Sequence, residues 1–258
     1  MRIKIGSLVF KPMLGLSVVV LICMGILATL GTWQYKRLIW KTDLIVHINQ
    51  AANADPLTSL AQANDVQKSG DPLDFRRIEL DGAFLKPQIN NGQPFHLMRS
   101  DGKRLLWRHY QPFQQPFKDG DITVYVATHK FEDRQKMTPP DMETGPSIIV
   151  GYVRIPDMAT RFMPKNNPDK NRWFVFNASP ELLDWAGPEN DLGGDIETAY
   201  FIDQVFGVKT AADIPVKIPE IMNNHLDYML TWYSFMLILL VIYLLLHKRA
   251  GRLYIERP

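Results

Sequence analysis

Cysteine is nearly absent from this chain of 258 residues: there is one, Cys23, and it lies inside an apolar run. A single thiol excludes an intrachain disulfide scaffold, a Cys-x-x-Cys redox centre, a zinc or copper site built from cysteines, and haem attachment through Cys-x-x-Cys-His. Charge of one sign is lacking too. Lys and Arg number 29 against 27 Asp and Glu, a formal net charge of +2, so the basic excess that marks nucleic-acid binding is missing. The spacings of common enzyme classes are also missing: no H-E-x-x-H, no G-x-S-x-G, no P-loop, no G-x-G-x-x-G after a strand and no EF-hand loop. The 18 Pro and 16 Gly are dispersed along the chain, which excludes a collagen-like or low-complexity protein.

What the sequence does have is two long uncharged segments. Met13 to Leu30 reads MLGLSVVVLICMGILATL, about 18 residues, close to the length a helix needs to cross roughly 30 Å of hydrocarbon. Trp33 and Tyr35 follow, at the depth of an aromatic belt. The basic residues Arg2, Lys4 and Lys11 would also suit a cleaved leader, but the run is long and Leu30 spoils an A-x-A site after Ala28, so a retained anchor is expected. Met229 to Leu246, MLTWYSFMLILLVIYLLL, is the second span, between Tyr228, Trp232 and Tyr233 at one interface and His247, Lys248 and Arg249 at the other.

With two spans, both termini lie on one side of the membrane and the interior of the chain on the other. Arg2, Lys4, Lys11, Lys248, Arg249, Arg252 and Arg257 outnumber Lys36, Arg37, Lys41 and Lys217, which favours termini in the cytoplasm or the mitochondrial matrix. The expected order is an N-terminus over 1–12, a first span over 13–33, a periplasmic or intermembrane-space domain over 34–224, a second span over 225–246 and a tail over 247–258. A tail that short holds no signalling domain. The location implied is a bacterial inner membrane, with the mitochondrial inner membrane as the alternative.

Between the spans, Trp33, Arg37, Trp40, Lys41 and Leu44 keep helical spacing beyond the first span. Asp55-Pro56 reads as a cap followed by proline at the first helical position, opening a short helix through Leu60. Ser179-Pro180-Glu181 starts another, through Trp185. The rest carries strand signals at Phe75–Leu80, closed by Asp81-Gly82, and at Leu105–Tyr110, Ile122–Thr128, Ile148–Arg154, Trp173–Phe176 and Phe201–Val205. Short strands without long helices between them predict antiparallel pairing. The fold class expected is thus a membrane protein with two transmembrane helices flanking one β-rich α+β domain, an antiparallel sheet or small barrel. His96, His109 and His129 are isolated in sequence, and a scattered histidine is mostly a surface or core residue.

The start of the second span is chemically different. Asn224 is placed to cap a helix, with Asp227 three residues on, so His225 takes the first helical position at the membrane surface. His225, Tyr228, Met229 and Trp232 then recur at i, i+3, i+4 and i+7, one stripe of imidazole, aromatic and thioether groups. Read plainly, Tyr228 and Trp232 are belt anchors and His225 faces headgroups. Read for chemistry, a neutral imidazole at the positive end of a helix, with flat aromatics to cover a porphyrin, suits an axial haem ligand. Lys36, Arg37 and Lys41, just outside the first span, either meet phosphate headgroups or pair with haem propionates, and of the three Arg37 has the fork for a carboxylate.

Five segments in order carry a resemblance: Gly31-Thr32-Trp33-Gln34-Tyr35-Lys36-Arg37-Leu38-Ile39-Trp40-Lys41; Phe75-Arg76-Arg77-Ile78-Glu79-Leu80-Asp81-Gly82-Ala83-Phe84; Gly151-Tyr152-Val153-Arg154; Pro164-Lys165-Asn166-Asn167-Pro168 with Asn171-Arg172-Trp173-Phe174; and Asn224-His225-Leu226-Asp227-Tyr228 with Thr231-Trp232-Tyr233. Together they resemble the surfeit locus protein 1 family, over nearly the whole chain and with a span at each end. The resemblance implies a non-enzymatic assembly factor for cytochrome c oxidase, acting with oxidase subunit I and other assembly factors, and binding haem a, with His225 at the position of the family's histidine before the second span. Joined to the chemical reading above, it makes His225 the expected axial ligand of the haem iron, with Tyr228, Trp232 and Arg37 as the other expected cofactor-binding residues. The chain departs from the pattern where the family shows Asn-Arg-Gly-Trp, having Thr128-His129-Lys130-Phe131, and where Met229 replaces the usual Ala. A different oxidase client, such as a quinol oxidase, would account for such divergence. The competing expectation is a membrane-tethered scaffold or small-ligand-binding domain for another respiratory complex, without haem. Membrane lipid is a partner in either case, and nucleic acid in neither.

Overall fold

The structure, a computed structural model, describes residues 3–86, 95–100, 105–117, 120–135, 141–157, 160–176 and 195–256. The chain divides into two compact units, one made of Met1–Val46 with Glu220–Pro258 and the other of His47–Pro219.

In the first unit, α1 (Leu14–Asn53, which runs on into the second unit) packs antiparallel to the last helix of the chain, α3 (His225–Arg249). Both are long and apolar enough to cross a membrane. Their outward faces carry exposed Val18, Val19, Leu21 and Ile22 on α1 and Leu237, Ile238 and Val241 on α3, the pattern of helices solvated by lipid rather than water. The helices are pinned at successive heights by polar side chains. Ser17 Oγ and Tyr243 OH lie 2.6 Å apart, and Thr32 Oγ1 and Tyr233 OH 3.2 Å apart. At Gly31 the Tyr233 ring lies close against α1: a Cβ there would stand 2.8 Å from the ring, so any larger residue would force that side chain to move. At the far end the chain termini form a three-stranded antiparallel sheet of β1 (Ile3–Ile5), β2 (Leu8–Phe10) and β9 (Leu253–Ile255), in the order β1-β2-β9. Three-residue strands give too short a pattern to register in sequence, and none of these was expected.

The second unit is built on six strands: β3 (Arg77–Phe84), β4 (Phe95–Ser100), β5 (Leu105–Gln115), β6 (Ile122–Glu132), β7 (Gly145–Arg154) and β8 (Asp195–Gln204). Their order is β3-β7-β8-β6-β5-β4, and β3 also pairs with β5, so β3, β7, β8, β6 and β5 close on themselves while β4 lies outside on β5. This is the small barrel foreseen, with one correction: β6 and β8 run parallel, since a crossover separates them in sequence. Closure depends on Gly82, because a Cβ there would collide with the Gln114 carbonyl where β3, still paired with β7, also meets β5. Asp81-Gly82 therefore lies within β3 instead of ending it. An aliphatic core of Leu60, Ile78, Leu80, Val124, Ile149 and Ile202 sits beside an aromatic one of Phe95, Tyr110, Tyr125, Trp173, Phe176 and Phe201.

Two further expectations are corrected. No helix starts at Asp55-Pro56. Leu57 instead bridges to Ile78, and α2 (Leu60–Ser69) begins after Ser59, whose hydroxyl accepts from the Gln62 amide, and ends at Gly70 in the left-handed conformation (φ 79°). Trp173–Phe176 is not a strand: Trp173 makes one isolated bridge to Leu97 and serves the aromatic core through its ring. The helix expected from Ser179 lies outside the described residues.

Candidate functional site

His225 opens α3 as expected, but Asn224 makes no side-chain capping bond. The segment before the helix is fastened to α1 by other means: Lys41 Nζ donates to the Met222 carbonyl at 2.5 Å and Asn223 Nδ2 to Thr42 Oγ1 at 3.3 Å. These bonds fix where His225 enters.

Its ring meets α1 side-on. His225 Nδ1 lies 2.6 Å from Gln34 Oε1, and the Trp33 ring stands edge-to-face to the imidazole at 6.5 Å. A carbonyl oxygen only accepts, so Nδ1 carries the proton and Nε2 is left as a lone-pair donor, with no hydrogen bond to it among the described residues. Gln34 is buried, and an amide buried between apolar helices is held there by the partner it serves. Its role was not read from the sequence, although an amide in the run Trp33-Gln34-Tyr35 at membrane depth was the available signal.

The other site residues are more loosely associated. Tyr228 is exposed, while Met229 and Trp232 are half-buried along the same helix. Among the described residues neither Tyr228 nor Trp232 has a ring contact or hydrogen bond with His225. Arg37 lies one turn beyond Gln34 on α1, exposed, with its guanidinium 4.6 Å over the Trp40 ring and no carboxylate partner among the described residues. At the other end of α3, His247 Nε2 accepts from the Met13 amide at 3.1 Å and Nδ1 donates to the Tyr243 carbonyl at 2.9 Å, so neither nitrogen is left to ligate.

The three scattered histidines of the barrel do converge in part. His96 and His109 are cross-strand partners on β4 and β5, with rings stacked at 4.9 Å against the edge of Phe131. Burial, reinforced by nearby His129, pushes the His109 pKa down to about 4. Among the described residues no three His, Cys, Asp or Glu side chains gather where a metal ion could sit. Nearby, buried Arg108 pairs with Asp203 at 2.5 Å beside a cavity of about 310 Å³ that Lys130, Tyr152, Phe206 and Lys217 help to line.

Comparison with known proteins covers both units. The chain is 25% identical to Surfeit locus protein 1 of Mus musculus over 224 residues, spanning 80% of this chain and 67% of that one. It is 29% identical to the SURF1-like protein of Rickettsia bellii over 243 residues, 90% of each chain, and 27% identical to that of Rickettsia felis over 245 residues, 91% of this chain and 97% of the relative. The model of the SURF1 family matches residues 21–237, from within the first long helix, through the barrel and past His225 to Leu237. An alignment that takes in both apolar helices and the barrel between them, in one order, places this chain in the SURF1 family.

Proposed function

We propose that this chain is a non-enzymatic assembly factor for a haem-copper terminal oxidase, holding haem a at His225 for insertion into oxidase subunit I. The observation that carries the reading is the His225–Gln34 pair. A histidine that ligates iron donates its other N–H to a carbonyl or carboxylate, which fixes the tautomer and the ring plane, and Gln34 Oε1 supplies that acceptor at 2.6 Å. Trp33 at the ring edge, with Tyr228 and Trp232 further along α3, offers the apolar aromatic flank a porphyrin requires. Arg37, without a carboxylate partner among the described residues, is available to a propionate.

Haem a is cargo in this reading, and the chain's residues bind, orient and release it. Met229 is one turn from His225 on the same helix and cannot cross to the far side of a porphyrin that His225 ligates. The sixth position is therefore left to water or to the client, and a weakly held sixth position favours handover. Both termini are assigned to the cytoplasm or matrix, and the barrel to the periplasm or intermembrane space.

The test is the absorption spectrum of the detergent-purified full chain, made in cells that synthesise haem a. A Soret band stoichiometric with protein is expected, lost in His225→Ala, shifted in His225→Met and unchanged in His247→Ala. Colourless protein overturns the haem reading and favours a tethered scaffold. Full occupancy in His225→Ala assigns the ligand elsewhere.

A further inference from the structure

The small sheet formed by the two chain ends has two unlike faces. Cross-strand partners in an antiparallel sheet share a face, and successive residues alternate. Ile3 pairs with Phe10, Phe10 with Leu253, and Leu8 with Ile255, so all five lie on one face. Lys4, Val9 and Tyr254 pair across the other. That second face is roofed by charge: Lys4 Nζ reaches Glu256 Oε2 at 2.6 Å, Lys11 sits 5.6 Å over the Tyr254 ring, and Val9 of the central strand is wholly buried beneath.

The first face is apolar throughout and only partly covered. Phe10 packs on the rings of Tyr243 and His247 of α3, at 6.1 and 5.0 Å, so the face is turned toward the helix end. Beyond that contact Ile255 is 69% exposed, Leu8 41% and Ile3 37%. These aliphatics cannot be far from a bilayer that holds the helices. Three residues separate β2 from α1 and three separate α3 from β9, a reach of about 14 Å at most. Exposed Lys248, Arg249 and Arg252 lie in and beside the link from α3 to β9, and exposed Lys11 begins the link from β2 to α1.

We infer that this sheet is a membrane-surface foot: its apolar face lies on the hydrocarbon edge of the leaflet, its Lys4–Glu256 face lies in water, and the surrounding cations meet anionic phospholipid headgroups. The proposal rests on α1 and α3 spanning that bilayer. It commits to lipid because the face packs through Phe10 on the end of a helix long and apolar enough to span, and because exposed Lys248, Arg249 and Arg252 in and beside the link from that helix to β9 supply the charge that anionic headgroups complement. A foot of this kind fixes the depth and rotation of both helices, and so the depth at which His225 emerges on the opposite side.

Because Cys23 is the only cysteine, Cys23→Ala gives a clean background for single nitroxide labels at Ile255→Cys on the apolar face, Lys4→Cys on the polar face and Leu237→Cys in mid-helix. The full chain is placed in vesicles of phosphatidylcholine and phosphatidylglycerol, and collision of each label with oxygen and with a water-soluble nickel chelate is measured. The oxygen-to-nickel ratio at 255 is expected to be several-fold above that at 4 and close to that at 237. Omitting phosphatidylglycerol should lower the ratio at 255 and leave 237 unchanged. A label at 255 as open to nickel as the one at 4 overturns the proposal. So does a label at 255 shielded from both reagents in a chain that has doubled in mass, since a second copy then covers the face. An unchanged ratio without phosphatidylglycerol overturns the role given to the cations. A water-exposed label at 237 shows instead that the helices are not in the bilayer, which is a failure of the membrane reading itself.

Discussion

The two ends of α3 each carry a histidine against α1, and the two are held in opposite ways. His247 is buried between the rings of Phe10 and Tyr243, and both its nitrogens are used: one accepts the Met13 amide at the start of α1 and the other donates to the helix's own Tyr243 carbonyl. The amide it serves is one of the first-turn donors that a helix leaves without a partner, so His247 does for α1 what a capping side chain would do. His225 is half-buried and, among the described residues, uses one nitrogen only. Neither residue type nor membrane depth separates a structural histidine from one with a nitrogen left for a ligand. The number of ring nitrogens already satisfied does.

The largest effect on stability is expected at the closed end. His247→Ala removes the acceptor of the Met13 amide and opens a cavity between Phe10 and Tyr243, which should cost about 2–4 kcal/mol, read from denaturant unfolding in detergent. Haem content of the remaining folded protein should be unchanged. A variant that stays folded but loses haem would break the comparison, because haem retention would then depend on the closed end as well.

A third arrangement sharpens it. His109 is buried in the barrel with neither nitrogen hydrogen-bonded among the described residues, and its pKa is lowered to about 4 from an ordinary 6.5. The unfolded chain therefore takes up a proton between pH 6.5 and 4 that the folded one refuses. This stability is fully present above pH 6.5 and is lost as the pH falls toward 4, by roughly 3 kcal/mol. Unfolding midpoints measured down that range should slope less in His109→Phe than in the parent. Equal slopes would show that His109 is not held neutral by burial.

How much of this was legible in advance follows from the reach of each pattern. The two helices were readable because an uncharged run of about 18 residues has few other uses, and the barrel because most of its strands are short apolar runs between turn residues. His225 was readable from its place at a helix start. Gln34 was not, because its role exists only once α1 and α3 are side by side. The same holds for Gly82, whose Asp-Gly looks like a turn until the barrel closes over it, and for His96 with His109, which only strand register brings together. Ser59 displaced Asp55 as a helix start because Leu57 was taken first by pairing with Ile78.

At the open end, Gln34 is the residue to remove. Gln34→Leu keeps the volume but leaves Nδ1 without its acceptor, so the ring is free to turn and either nitrogen can carry the proton. Haem retention should weaken by about 10- to 100-fold, the usual cost of losing the outer partner of a ligating histidine. Gln34→Glu supplies a stronger acceptor, so retention should be kept and the reduction potential of bound haem lowered. If Gln34→Leu leaves both affinity and potential unchanged, the 2.6 Å bond only joins the helices and has no part in ligation.

The smallest expected change is at Arg37. Its guanidinium is exposed and stacked on Trp40, so a pair with a propionate would be screened by water and by ions. Such pairs contribute about 0.2–1 kcal/mol, which corresponds to roughly a fivefold change in affinity at most. Arg37→Gln should therefore release haem to a competing acceptor slightly faster than the parent at low salt, and at the same rate in high salt, where the parent loses the contribution as well. His225 would remain the larger determinant, because a ligand bond to iron does not respond to ionic strength. A difference between Arg37→Gln and the parent that persists in high salt would mean that Arg37 is desolvated when haem is bound and belongs to the closed part of the site. No difference at low salt would assign its charge to lipid headgroups, leaving His225 and Gln34 as the groups proposed to hold haem.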